Sequence, residues 1–231
     1  MRPVSKGGPG PDSPYGNYLN ARRDLIAAIG EYCSYCEMHL DAGLAVEHKV
    51  PKSREPDTTL QNEWSNLLLA CPNCNSCKGD RLATVSEPIW PDCNNTFYAL
   101  TYGPGARVTS NPLLSGYDRS RAEDLLELVQ LNRSPADTAT FSDRRWLNRH
   151  QAWDMAVESL QDLQRQSNAG AALKRQIVKT ALAKGYWSIW MTVFSGEGDV
   201  VCELIDKFPG TARECFDLLG RTEPQIDRNS D

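Results

Sequence analysis

The sequence predicts an α+β chain: a small metal-stapled α/β module followed by a mostly α-helical part. Three observations predict it. Two C-x-x-C pairs, Cys33/Cys36 and Cys71/Cys74, bracket a stretch of short apolar runs. Residues 84–116 are crowded with proline and glycine, which punctuate loops. Beyond them apolar residues recur at helical spacing. At 231 residues the chain suffices for one large domain or two modest ones, with an ordinary buried core.

Taken in order, residues 1–16 are rich in Gly and Pro and read as an extended N-terminal arm. Residues 17–100 hold the stapled module, and 101–231 a loop-rich connection and a helical domain. Leu25, Ile26 and Ile29 share one face of a helix over Tyr18–Ile29, stopped by Gly30. Glu31–Cys36 is too short and polar for a regular element and reads as a knuckle. Leu44–Val46 predicts a brief strand, Pro51–Glu63 a surface loop, and Leu67–Leu69 a buried strand or helix entry. Pro72 suits the first turn of a short helix running towards Gly79. A hairpin is expected around Phe97–Val108. Ser120 or Asp118 can cap a helix through Leu131. Ser142 can cap a long one carrying Trp146, Trp153, Val157 and Leu160. A third helix covers Ala171–Lys184, with an extension past Gly185 to Phe194, and shorter ones fall near Val200–Lys207 and Thr211–Leu219. The spacing of Trp146 and Trp153, and of Trp187 and Trp190, favours packing over base stacking.

The net charge of −5 argues against a protein that coats nucleic acid by charge alone, because that mode needs many Lys and Arg contacts to phosphate. No apolar run approaches the ~20 residues of a bilayer span, so no membrane partner is expected. The first ten residues lack a secretory apolar stretch, and the expected location is cytoplasmic. In that reducing setting, cysteine pairs point to zinc rather than disulfides. Four thiolates leave no open coordination position, so such a zinc is structural. Spacing alone leaves the second pair ambiguous, since Cys74 and Cys77 also form a C-x-x-C.

Between the pairs stands Glu47-His48. Glu47 offers a hard oxygen to a divalent cation, and His48 has a side chain whose ordinary pKa, near 6.5, suits taking a proton from water. Lys49, Lys52 and Arg54 follow closely and are placed to touch a substrate strand; Lys78 can do the same or cap the short helix. Arg144, Arg145, Arg149 and His150 form a basic group on the long helix, read as a solvated face in preference to a phosphate-binding patch.

Cys33-Ser-Tyr-Cys36, Glu47-His48, Asn66-Leu-Leu-Leu69, Cys71-Pro-Asn-Cys-Asn75 and Lys78-Gly79 together resemble the HNH nucleases of the ββα-metal type, over roughly residues 31–80. The resemblance implies that Cys33, Cys36, Cys71 and Cys74 hold the zinc and that Cys77 is a bystander. It casts His48 as the general base, Asn66 as the brace of the loop holding that base, and Glu47 and Asn75 as ligands of a catalytic cation. Glu replaces the family's usual Asp, which lengthens the ligand by one methylene. Asn rather than His at the last position favours Mg²⁺ or Mn²⁺. The implied reaction is hydrolysis of phosphodiester bonds in DNA or RNA. A narrower similarity, in Met1–Val4, Tyr32–Glu37, Leu44–His48, Leu67–Ser76, Trp90–Phe97 and Val129–Arg133, is to the HNH subunits of Septu anti-phage systems. It implies a PtuA-like ATPase partner and, for retron-associated members, a reverse transcriptase with its RNA–DNA product. The alternative from another class is a zinc-stapled adaptor that binds nucleic acid or protein without cutting. An adaptor needs only the cysteines.

Overall fold

A computed structural model describes residues 1–8, 10, 12–54, 60–134, 143–165 and 170–228. Helix α1 (Ala21–Ile29) buries Ala21, Leu25 and Ile29, and Gly30 ends it at φ 77°. The knuckle follows, then strands β1 (Ala45–His48) and β2 (Leu67–Ala70) pair antiparallel, with Glu47 opposite Leu68 and His48 opposite Leu67. All four residues of β2 are buried, as their continuous apolar run requires. Helix α2 (Pro72–Lys78) starts where expected: Cys71 caps it by accepting from the Cys74 amide, and Pro72 fills the first position.

The expected hairpin is present as β3 (Leu100–Tyr102) and β4 (Val108–Ser110), entered through a single helical turn, α3 (Thr96–Ala99). Helix α4 (Gly116–Leu128) begins earlier than expected, because Ser115 supplies the cap by accepting from the Asp118 amide. Helix α5 (Arg145–Arg165) carries Trp146 and Trp153; the expected cap at Ser142 lies outside the described residues.

Helix α6 (Ala171–Lys184) does not run on to Phe194. Gly185 (φ 76°) and Tyr186 (φ 59°) are both left-handed, and α7 (Trp187–Val193) starts afresh. The break has a cause. Gly185 lies so close to the Glu37 carbonyl and the His39 amide that a side chain there would collide with them. The Tyr186 amide donates to the Glu37 carbonyl at 2.8 Å. Helix α8 (Gly198–Lys207) is as expected, but Thr211–Leu219 is not an α-helix. Only Arg213–Cys215 makes a 3₁₀ turn, and Asp217 accepts from the amides of Leu219 and Arg221, a local alternative to helix hydrogen bonds.

The N-terminal arm lies in the body of the protein. Met1, Arg2 and Val4 are buried. Arg2 donates to the carbonyls of Ile29 (2.8 Å) and Pro209 (2.5 Å), and the Val4 amide donates to Pro91 O. These residues supply the missing partners of loop carbonyls, which is why a Gly/Pro-rich segment is held there. Trp187, Trp190, Phe194, Leu204 and Phe208 form the buried centre of the helical part. Among the described residues no helix is long and apolar enough to cross a membrane.

Candidate active site

The β1–β2 hairpin and α2 hold two sites side by side. The first is the cysteine cluster. The Sγ atoms of Cys33, Cys36, Cys71 and Cys74 are buried and lie within 4.8 Å of one another. Cys36 and Cys71 are 3.7 Å apart, close to the ~3.8 Å edge of a tetrahedron with metal–sulfur bonds of about 2.3 Å. The donor set therefore fits a structural metal ion. Cys77 is outside the cluster; its Sγ accepts from Arg145 at 3.2 Å.

The second site is a cleft of about 410 Å³, lined by residues of β1, the loop after it and α2, with Tyr18 on one wall. Glu47, His48, Lys52 and Asn75 all line it. His48 is nearly buried, and its Nε2 lies 2.8 Å from the Gln61 carbonyl. A carbonyl only accepts, so Nε2 carries the proton and Nδ1 keeps the lone pair in the neutral ring. Burial holds the imidazole below its ordinary pKa, so it is neutral at pH 7.

Glu47 is buried. Loss of hydration pushes its carboxyl up to about 7, against the opposing pull of Lys78, whose ammonium stands 2.8 Å from Oε1. Glu47 and Asn75 bring a carboxylate and an amide oxygen to the same cleft, a hard donor pair suited to a divalent cation. Asn66 is buried beneath the loop. Its side chain accepts from the Val50 amide (2.8 Å) and donates to the carbonyls of Val50 and Leu60 (3.1 Å each), tying the chain on both sides of the loop that carries Gln61.

The three lysines expected at the substrate separate. Lys52 is exposed at the cleft. Lys49 points away from it and shares Asp92 with Lys6, at 3.0 and 2.7 Å. Lys78 is fully buried and binds Glu47 and the His48 carbonyl (2.6 Å), because helix α2 lies directly against β1. It is a tether within the site rather than a surface contact.

The basic group on α5 also separates. Arg144 is exposed, but Arg145 and Arg149 are among the most buried side chains. Arg145 donates to Cys74 Sγ at 3.2 Å and to the Val129 carbonyl at 2.8 Å, and pairs with Asp143 at 2.7 Å. Sequence reasoning read it as solvated. The one available signal was Asp143, two residues away. Tyr18 was also missed, and nothing in its local sequence distinguishes it.

A ββα hairpin-and-helix with a four-cysteine staple, and a cleft holding Glu47, His48 and Asn75, is the arrangement of an HNH domain. Residues 33–81 match the family described as HNH endonuclease. Over 68 residues, 28% of this chain, it is 37% identical to the Septu protein PtuB of Bacillus thuringiensis. That match spans about a quarter of the relative's length.

Proposed function

We propose that this protein is a metal-dependent endonuclease that hydrolyses phosphodiester bonds in DNA or RNA, as the nuclease effector of an anti-phage defence complex. The observation that carries the reading is the convergence of Glu47, His48 and Asn75 on one cleft beside the four-cysteine cluster. An adaptor would need the staple but not this cleft.

In this reading the cluster holds zinc, which fits four reduced thiolates in the cytoplasm. His48 is the general base: its Nδ1 takes the proton from an attacking water, and Gln61 holds the ring through Nε2. Asn66 keeps that carbonyl in register by tying down Leu60 and Val50. Lys78 fixes the Glu47 carboxylate and the end of β1 with one ammonium. A Mg²⁺ or Mn²⁺ ion held by Glu47 and Asn75 would supply charge neutralisation at the scissile phosphate and leaving oxygen. Lys52 offers an exposed ammonium to the substrate backbone.

Similarity to a Septu protein supports a defence role, and with it a PtuA-like ATPase partner; a retron reverse transcriptase with its RNA–DNA product is the further partner such systems suggest. The net charge of −5 supports delivery by a partner, since long-range attraction for a polyanion is weak. The test is incubation of the purified chain, alone and with a PtuA-like ATPase, with plasmid, single-stranded DNA and tRNA. Cleavage that requires added Mg²⁺ or Mn²⁺ is expected. Binding without cleavage under every condition would favour the adaptor.

A further inference from the structure

Tyr18 forms part of the cleft wall, and the catalytic roles described for the site leave it without one. It opens a single 3₁₀ turn, Tyr18–Asn20, whose entry is fixed by the Asn17 side chain accepting from the Leu19 amide at 3.0 Å. Its ring meets the His48 imidazole edge-on, with centroids 4.7 Å apart and planes at 67°. The Lys52 ammonium lies 4.3 Å from the Tyr18 ring centroid and donates to its hydroxyl at 3.0 Å.

The other two lysines near β1 are paired with buried carboxylates, Lys49 with Asp92 and Lys78 with Glu47. Among the described residues no carboxylate pairs with Lys52, and its ammonium stands at the cleft. A free lysine loses considerable rotamer entropy when it grips a ligand. Contact with a phenol restricts it beforehand without neutralising it. The phenol oxygen accepts from the ammonium and so acts on a ligand only through Lys52.

We infer that Tyr18 is a positioning residue: its hydroxyl holds the Lys52 ammonium at the cleft as a grip for a backbone phosphate, and its ring fixes the plane of His48. The ligand is a nucleic-acid phosphodiester, an identity that rests on the nuclease reading. The grip uses chemistry common to DNA and RNA.

The test measures binding of the full chain, free of divalent cations so that nothing is cut, to a fluorescein-labelled DNA duplex and a labelled RNA hairpin by anisotropy. Zinc content serves as the check on folding. On whichever polymer the parent binds, Lys52→Ala should weaken affinity about tenfold and Tyr18→Phe about threefold. Tyr18→Phe added to Lys52→Ala should cost nothing more, because the hydroxyl acts through the ammonium. In cleavage with Mn²⁺, Tyr18→Phe should raise KM by more than it lowers kcat, whereas Tyr18→Ala should lower kcat as well. A Tyr18→Phe protein that binds as the parent does, or penalties that multiply in the double variant, would overturn the inference and leave the nuclease reading standing if the parent cuts. A parent that binds neither polymer would overturn the inference alone; the nuclease reading falls only if the chain, with Mn²⁺ and the ATPase supplied, cuts neither.

Discussion

The two halves of the molecule are held by different means. Around the cysteines the elements are short: two four-residue strands and a seven-residue helix. Elements of that length are marginal on their own, and a two-stranded sheet is not independently stable. In the helical part α5 runs for 21 residues and α6 for 14, and α7 and α8 pack around Trp187, Trp190 and Leu204. The chemistry sits in the half with less apolar material. Its geometry is set by thiolates, by Asn66 and Lys78, and by contacts reaching it from the other half: Arg145 on Cys74, and Tyr186 on Glu37.

The comparison can be broken most severely at the staple. Replacing Cys71 or Cys36 with Ser should lose the zinc and the amide protection of residues 33–81, because a structural zinc contributes on the order of 10 kcal/mol to folding. Hydrogen exchange should show α6–α8 still protected, and equal loss in both halves would contradict the contrast. From the other side, Trp187→Ala should destabilise the helical part by about 3–5 kcal/mol, read as a lowered denaturation midpoint, because the emptied volume cannot be refilled.

Arg145 tests the joint between the halves. Arg145→Ala removes a buried partner of Asp143 and a donor to a thiol of the cysteine cluster, and should cost about 3 kcal/mol or more. It should also speed zinc transfer to a chelator, while Arg144→Ala, on the exposed face, leaves both unchanged. The smallest effect expected is in acid. Burial opposes ionisation of Asp92, but the ammoniums of Lys49 and Lys6 together outweigh it and hold the carboxyl below its ordinary 3.8. A depressed carboxyl contributes stability that is present above pH 3.8 and lost as pH falls through its folded value. Asp92→Asn should therefore flatten the steep loss of stability below pH 4, measured by thermal melts.

Much of the site was legible because its chemistry demands residue types at fixed spacing. The C-x-x-C pairs meet in one cluster, Glu47, His48 and Asn75 line one cleft, and Asn66 bonds to the loop beside it, while Gly30, Pro72 and Gly79 mark the ends of their helices. What the sequence hid was set by long-range burial. Lys52, Lys49 and Lys78 look alike along the chain, yet one faces the cleft, one faces Asp92 and one lies beneath β1. Arg145 and Arg149 read as surface charge because, Asp143 beside Arg145 apart, nothing local reveals that α5 turns them onto Cys74 and the Ala106 carbonyl. The segment 1–16 reads as an extended arm because the partners of Arg2, Pro209 and Thr211, are two hundred residues away.

The most direct test of the account is cleavage by His48→Ala beside the parent, at equal zinc content and with Mn²⁺ supplied to both. The imidazole makes one hydrogen bond to Gln61 and packs on Tyr18, so its removal should leave the staple and the helical part intact. Loss of the base should cut the rate by about 10²-fold or more. A His48→Ala protein that retains its zinc and cuts nucleic acid as fast as the parent would contradict the assignment of this cleft as the active site.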